Sequence, residues 1–99
     1  MRIEFYEAKN GGCPLNNYLD SLNPKLLAKT LKTIDLLEQN GSSLRSPYSE
    51  YLKDDIFELR TKQSTNITRI LYFFVVGDKA ILTNGFTKKQ IKRLQKKLN

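Results

Sequence analysis

Two arginines stand in the middle of segments whose composition is typical of β-strands. Arg60 belongs to the segment IFELRTK and Arg69 to the segment TRILYFFVV. A planar guanidinium group binds a carboxylate or a phosphate through two parallel hydrogen bonds. A mostly apolar strand has no local reason to bury an arginine, because an unpaired buried charge costs free energy. We therefore expect an anion beside Arg60 and Arg69.

The relative position of the two arginines depends on the loop between their strands. A four-residue loop over residues 63–66 puts Arg60 directly opposite Arg69. A two-residue loop over residues 65–66 puts Lys62 opposite Arg69 instead. Directly opposed like charges destabilise a strand pair. Either register therefore predicts an anion between the two cations.

The expected anion has two candidate identities. Glu58 and Asp55 would neutralise the arginines inside the protein, as structural ion pairs often do. A phosphate group from a ligand is the alternative, and the shape of the guanidinium group suits it. A predicted turn at residues 77–78 would also place Phe86 opposite Arg69.

The C-terminal segment adds further positive charge. Thr87 is expected to cap a last helix, with Lys88 and Lys89 in its first turn, where the helix dipole disfavours cations. A bound anion would remove this conflict, and Phe86 could stack on a nucleic-acid base. The basic residues expected on the outside of this helix include Lys92 and Arg93.

The positive charge of the chain is unevenly distributed. Residues 1–52 contain six basic and six acidic side chains, whereas residues 53–99 contain eleven and four. The net charge of +7 therefore lies entirely in the second half. This concentration predicts a polyanionic partner, which is a nucleic acid or an anionic membrane. A basic surface that only maintains solubility is the alternative.

Composition limits the remaining possibilities. At 99 residues we expect a single domain over residues 1–99. The longest apolar run, Ile70–Val76, is too short to span a bilayer, and the N-terminus lacks the apolar stretch of a signal peptide. With no histidine and one cysteine, Cys13, we expect no metal site, no cofactor and no internal disulfide. These features favour the reducing cytoplasm.

The first half of the chain predicts one strand and two helices. Residues 2–8 alternate between apolar and polar side chains, as a strand does. Residues 14–22 begin with a proline and continue with apolar residues at helical spacing. A second helix over residues 24–40 is expected to follow an Asn23 N-cap and to end before Gly41.

The second helix has two predicted faces. Its buried stripe is expected to be Leu27, Leu31, Ile34 and Leu37. The opposite face carries Lys25, Lys29 and Lys32, which is typical of a solvent-exposed surface and less often of a functional one. Residues 42–55 lack periodicity and predict an ordered surface loop.

The second half of the chain predicts three strands. Residues 56–62 alternate, with Leu59 on one face and Glu58 and Arg60 on the other. Residues 67–76 are nearly all apolar, which predicts a central strand covered on both faces. Residues 79–86 complete a hairpin. The order β-α-α-β-β-β-α predicts an α+β fold, with a small, mostly antiparallel sheet and helices on one face.

These segments together resemble the RelE/HigB superfamily of bacterial toxins, particularly its phage-derived HigB-like branch. The resemblance rests on IFELR, TRILYFF and GDKAILTNGFTKK in that order, and covers nearly the whole chain. It implies a RelE-like fold, similar to that of small microbial ribonucleases. Relatives often carry a lysine where this chain has Glu50, and the nearest lysine here is Lys53.

The resemblance implies RNA as the polyanion. We expect the toxin of a toxin–antitoxin system, an endoribonuclease that cleaves messenger RNA on the ribosome without a metal. The expected partners are messenger RNA, the ribosome and a cognate antitoxin, a small helix-turn-helix protein of the HigA type, with no membrane. One alternative is an RNA- or ribosome-binding module without enzymatic activity. Another is a ParE-like toxin that acts on a protein target such as gyrase.

Metal-free RNA cleavage needs cations, a base and an acid. Without histidine, the base and the acid must come from a lysine, a carboxylate or a tyrosine, and Tyr72 is expected in the core. A lysine among other cations releases its proton more readily. The candidate catalytic residues are Arg60, Arg69, Lys88, Lys89, Lys53 and Glu58. Further contacts to RNA are assigned to Lys62, Phe86, Lys92 and Arg93.

Overall fold

The computed structural model describes residues 1–89. In chain order its elements are β1 (Arg2–Phe5), α1 (Pro14–Asp20), α2 (Pro24–Asn40), a 3-10 turn (Gly41–Ser43), β2 (Ser49–Lys53), β3 (Ile56–Gln63), β4 (Asn66–Val75) and β5 (Lys79–Lys89).

The five strands form one sheet in the order β1-β5-β4-β3-β2. Strand β1 runs parallel to β5, and the other neighbouring pairs are antiparallel. The predicted α+β class and the mostly antiparallel sheet are confirmed. In the part of the chain that the structure describes, no helix combines the length and the hydropathy needed to cross a membrane.

Both helices pack on the same face of the sheet, α1 against β5 and α2 against β3. This core face buries a set of mainly apolar side chains that includes Leu15, Leu19, Leu37, Leu59, Ile70, Tyr72 and Leu82. We call the opposite side of the sheet the outer face. Strand β4 is central, as predicted, but its outer-face residues Arg69, Leu71 and Phe73 are only half-buried.

The buried stripe of α2 is rotated from the predicted one. Leu31 is 44% exposed, whereas Thr30 and Thr33 point into the core. Their hydroxyl groups form hydrogen bonds with threonines of the sheet. Thr61 Oγ1 donates to Thr33 Oγ1 at 2.8 Å, and Thr30 Oγ1 lies 3.3 Å from Thr68 Oγ1. The prediction counted only apolar residues as buried. Mutual hydrogen bonding allows these threonines to be buried instead.

Helix α1 approaches β5 closely at one glycine. The aromatic ring of Tyr18 lies over Gly85, where an added Cβ would come within 2.5 Å of Tyr18 Cδ2. The Tyr18 hydroxyl group reaches Thr87 Oγ1 at 2.5 Å. The absence of a side chain at Gly85 therefore lets α1 pack against the part of β5 next to Phe86.

The predicted loop over residues 42–55 contains a strand. Strand β2 pairs with β3 from Ser49↔Leu59 to Lys53↔Ile56. Its polar sequence, SEYLK, gives little strand signal, because one side of this short edge strand faces solvent. Pairing with β3, which lies later in the chain, stabilises it.

The predicted start of the last helix is wrong. Strand β5 continues through Thr87, Lys88 and Lys89, which pair with Thr68, Ile67 and Asn66 of β4. The backbone groups of these residues need hydrogen-bond partners, and pairing with β4 provides them without a helix. The remainder of that predicted helix, including Lys92 and Arg93, lies outside the described residues.

Candidate functional site

Arg60 and Arg69 lie directly opposite each other on β3 and β4. This is the first of the two predicted registers. The ladder continues to Gln63↔Asn66, so the connecting turn is only two residues long, and Ser64 in it has a positive φ of 57°. The predicted four-residue loop was too long by one residue at each end, but its register is confirmed.

Phe86 lies opposite Arg69, as predicted. Two irregularities, neither of them expected, produce this pairing. The turn between β4 and β5 contains three residues, since Val75 pairs with Lys79. A β-bulge then sets two residues of β5 against Leu71, between the pairs Ile70↔Gly85 and Tyr72↔Leu82. The extra residue in the bulge restores the register that a two-residue turn would have given.

A buried carboxylate lies between the two arginines. Arg60 Nε donates a hydrogen bond to Glu58 Oε1 at 2.8 Å, and Arg69 Nη1 donates to the same oxygen at 3.0 Å. The Glu58 side chain is only 6% exposed, against 35% for Arg60 and 17% for Arg69. Glu58 is therefore the intramolecular anion of the first interpretation. Asp55 is exposed and forms no ion pair in the described part of the chain.

One carboxylate does not satisfy both guanidinium groups. Arg69 Nε is buried and has no hydrogen-bond partner among residues 1–89. Both hydrogen bonds to Glu58 use Oε1, which leaves Oε2 outside them. Buried polar groups are rarely left unpaired in folded proteins. We call Glu58, Arg60 and Arg69 the arginine cluster. It therefore contains an unused hydrogen-bond donor, Arg69 Nε, and an acceptor, Glu58 Oε2, that neither arginine uses.

A second row of residues lies beside the arginines on the outer face. Lys88 pairs with Ile67, which pairs in turn with Lys62. Lys88 Nζ is 6.0 Å from the centre of the Phe86 ring, at the outer limit of a cation–π contact. The sheet therefore brings Lys62, Phe86 and Lys88 to the same region as Arg60 and Arg69.

Other predicted site residues are less close. Lys89 follows Lys88 in the strand, so its side chain points to the opposite face. Lys53 is exposed at the end of β2, opposite Ile56 and after an irregularity in the register. The structure thus separates Lys89 from the arginine cluster and puts Lys53 at the margin of the sheet.

Glu50 is a candidate site residue that was not predicted from the sequence. It lies directly opposite Glu58 on β2, so two carboxylates are adjacent on the outer face. The Ser46 hydroxyl group donates a hydrogen bond to Glu50 Oε2. Glu50 belongs to the segment predicted as a loop, so nothing in the sequence assigned it a strand partner.

The tyrosines with shifted pKa values belong to the core face. Burial raises the pKa of Tyr72 above its usual value, and the hydrogen bond with Ser49 partly offsets this. Burial raises the pKa of Tyr18 in the same way, with Thr87 as the partner. Tyr72 is 1% exposed, as predicted for a core residue. Neither tyrosine is a candidate acid or base for chemistry on the outer face.

The arrangement can bind an anion and exchange a proton. Two guanidinium groups supply positive charge on strands whose geometry is fixed by the sheet. Two carboxylates and Lys88 supply groups that accept or donate protons. Residues 1–89 contain no convergent group of three or more histidine, cysteine, aspartate or glutamate side chains.

Comparison with known proteins identifies a family. The family model described as Phage derived protein Gp49-like (DUF891) matches residues 17–98. This family is of the RelE/HigB toxin type and is associated with the toxins of toxin–antitoxin systems. The fold is compatible with a RelE-like fold, although the order of elements differs in detail. A search of curated proteins gives no match. Because the model covers well over half of the chain, the protein belongs to the Gp49-like family of phage-derived proteins.

Proposed function

We propose that the protein is the toxin of a toxin–antitoxin pair and an endoribonuclease that cleaves messenger RNA on the ribosome. The observation that carries this proposal is the opposed pair Arg60 and Arg69, which share Glu58 and leave Arg69 Nε unpaired among the described residues. Membership of a toxin-associated family supports RNA cleavage over other anion chemistry. Messenger RNA, the ribosome and a HigA-like antitoxin are the proposed partners, and the cytoplasm is the proposed location.

The proposed reaction is attack by a ribose 2′-hydroxyl group on the adjacent phosphate. The 2′-oxygen forms a bond to phosphorus while the bond from phosphorus to the 5′-oxygen breaks. A base removes the 2′ proton, and an acid protonates the departing 5′-oxygen. Negative charge develops on the phosphoryl oxygens, and the guanidinium groups of Arg60 and Arg69 would stabilise it. This route gives one product with a 2′,3′-cyclic phosphate and another with a free 5′-hydroxyl group.

Glu58 is the proposed base. Its Oε1 is held by the two arginines, so the carboxylate is oriented, and its Oε2 remains outside those bonds. Lys88, on the same face beside Phe86, is the proposed acid, with Lys53 as its rival. Glu50, opposite Glu58, is a second carboxylate within the same cluster. Phe86 and Lys62 are proposed to bind the RNA next to the cleaved bond, and Lys92 and Arg93 remain proposed contacts. Lys89, a catalytic candidate in the sequence, is now proposed as a contact only, because its side chain points away from the arginines.

A binding module without catalysis is the second candidate. The specific observation in its favour is that Glu58 already pairs with both arginines, as in a purely structural ion-pair network. In that case the basic surface would bind RNA or the ribosome and block translation without cleaving a transcript. The ParE-like alternative, with gyrase as the target, would leave translation unaffected.

Induced expression followed by two measurements separates these functions. Incorporation of labelled methionine and labelled thymidine reports translation and replication, and primer extension maps any cleavage of transcripts. We expect translation to stop first, with new 5′ ends within coding regions and cyclic phosphate at the matching 3′ ends. Arrest of translation with intact transcripts would favour the binding module. Arrest of replication alone would favour the ParE-like function.

A further inference from the structure

A groove of about 470 Å³ opens where helix α2 meets the edge of β3. No lining residue is acidic, and four are cations. The side chains that matter are Lys29, Lys32, Tyr48, Arg60, Lys62 and Ile67. Its volume lies within the range of about 300–1,000 Å³ that is typical of small-molecule sites.

The groove exists because β2 covers only part of β3. The pairing between them ends at Ser49↔Leu59, so the edge of β3 beyond Arg60 has no neighbouring strand. The Arg60 backbone N–H donates to the Tyr48 carbonyl at 2.8 Å, which fixes Tyr48 beside this edge. Lys29 Nζ donates to the Lys62 carbonyl at 3.3 Å, which holds a cation in the lining of the groove.

Three of the four cations that line the groove have no acidic partner among the described residues, whereas Arg60 pairs with Glu58. Among residues 1–89, Lys29, Lys32 and Lys62 take part in no salt bridge. Tyr48 is 44% exposed, and its ring is available for stacking. Adjacent cations repel each other, and an anion bound between them relieves that repulsion.

We propose that this groove binds one nucleotide of single-stranded RNA, with its base against Tyr48 and Ile67 and its flanking phosphates at Lys29, Lys32 and Lys62. This inference rests on the proposed function, because it assumes that RNA is the ligand. Arg60 belongs both to the groove and to the arginine cluster, so an RNA strand bound at the arginines can continue directly into the groove.

An acidic peptide fits the same charges less well. A peptide that extends the sheet needs free main-chain groups along an edge, and the Lys62 carbonyl is already bonded to Lys29. The apolar surface of Ile67 and the Tyr48 ring suit the flat face of a base. Together, cations at the rim and an aromatic wall match the combination with which proteins bind single strands.

The test measures affinity for a fluorescent 2′-O-methyl RNA dodecamer, which lacks the hydroxyl group needed for cleavage. Lys29→Gln with Lys32→Gln is compared with the control Arg2→Gln with Lys9→Gln, which removes the same charge from exposed residues on the side of the sheet that carries β1. Tyr48→Leu is compared with Tyr6→Leu, since Tyr6 is 48% exposed outside the groove. Thermal melting checks that each variant is folded.

We expect the lysine pair variant to bind about tenfold more weakly, with a salt dependence lower by about 1.4 in log–log slope, because two phosphate contacts are lost. Tyr48→Leu should lose about tenfold through stacking. Both controls should change affinity less than threefold. Lys32→Gln alone, which leaves the Lys29 bond in place, should lose about half of the pair's effect on the logarithmic scale.

Equal losses in the two double variants would overturn the inference, because general charge would then explain binding. Unchanged RNA affinity with weaker binding of a fluorescent decaglutamate peptide would also overturn it and assign the groove to an acidic peptide. If wild-type protein cleaves transcripts but the groove variants bind RNA normally, only the groove inference fails. If wild-type protein neither binds nor cleaves RNA, the proposed function fails with it.

Discussion

The two faces of the sheet are built from alternating residues of the same strands, yet they differ in what they contribute. Leu59, Ile70 and Tyr72 point to the helices and are almost completely buried. Glu58, Arg60 and Arg69, their neighbours in sequence, form a charged cluster on the outer face. The core face supplies the rigidity that holds this cluster in place. The comparison teaches that the residues for stability and those for the proposed chemistry are separated by single-residue steps along a strand.

The outer face carries costs that the core face avoids. Two like charges are directly opposed, two carboxylates are adjacent, and Arg69 Nε is unpaired among the described residues. On the core face, by contrast, the buried threonines bond to one another and Tyr72 bonds to Ser49. A buried polar group without a partner is rare in folded proteins, and a functional role is one explanation for it.

The largest expected effect on stability comes from the core face. Ile70→Ala should lower the free energy of unfolding by about 2–5 kcal/mol, because it leaves a cavity in the core. Leu71→Ala, one residue further on and only half-buried, should cost less than half as much. Urea denaturation of both variants measures the difference. Equal losses would mean that the outer face is packed as tightly as the core.

Removal of the Glu58 carboxylate should reveal the repulsion between Arg60 and Arg69 on the outer face. Glu58→Gln leaves two guanidinium groups opposed, and we expect a loss of about 1–3 kcal/mol, since the partial exposure of Arg60 screens their repulsion. Adding Arg69→Gln to this variant should recover part of the loss. Urea denaturation of the single and double variants is the measurement. A more stable Glu58→Gln protein would show that the ion pairs contribute nothing to folding.

A substitution at Gly85 should disturb both the packing of Tyr18 on the core face and the backbone of Arg69. Gly85→Ala places a Cβ against the Tyr18 ring and within 3.2 Å of the Arg69 carbonyl oxygen. We expect a loss of about 1–3 kcal/mol from overpacking. Gly12→Ala is the control, because its nearest neighbour is the flexible side chain of Asn10. A melting temperature unchanged by Gly85→Ala would mean that α1 shifts away at no cost.

The smallest expected effect is a pH dependence of the free energy of unfolding, which arises from Tyr72 on the core face. Because the pKa of Tyr72 is raised in the folded state, the unfolded chain loses that proton first as pH rises. The contribution of Tyr72 to stability should therefore be fully present below about pH 10 and be lost above it, by at most about 1.4 kcal/mol per pH unit for each such tyrosine. Tyr72→Phe should reduce this slope. A slope identical to that of wild type would assign the whole effect to Tyr18 or other groups.

Local sequence pattern was sufficient for the faces of β3 and for the expectation that two cations lie side by side on the outer face. Alternation along a strand fixes which residues share a face, and this assigned Glu58 and Arg60 together. The sequence left two registers of β3 and β4 open, and the structure adopts the one that sets Arg60 opposite Arg69, with a turn shorter than the predicted loop. The position of Phe86 was predicted from a turn of the wrong length, because a bulge is not visible in the hydrophobic pattern.

Elements held by distant partners could not be predicted. Strand β2 has a weak signal and depends on pairing with β3, so Glu50 was not recognised as a neighbour of Glu58. The extension of β5 to Lys89 depends on pairing with β4, whereas the local sequence favoured a helix cap at Thr87. The groove at Lys29 and Tyr48 brings together three segments that are far apart in the chain.

The central claim is that the arginine cluster of the outer face cleaves RNA, and Arg69→Ala tests it most directly. Cleavage of messenger RNA on translating ribosomes and the melting temperature should be measured on the same preparations, with Arg2→Ala as the control for loss of an exposed arginine. We expect cleavage to fall at least about 100-fold, as when one charge-stabilising donor is removed from an enzyme. The melting temperature should change little, since Arg60 still pairs with Glu58. Undiminished cleavage, or a loss of cleavage matched by a loss of folded protein, would contradict the claim.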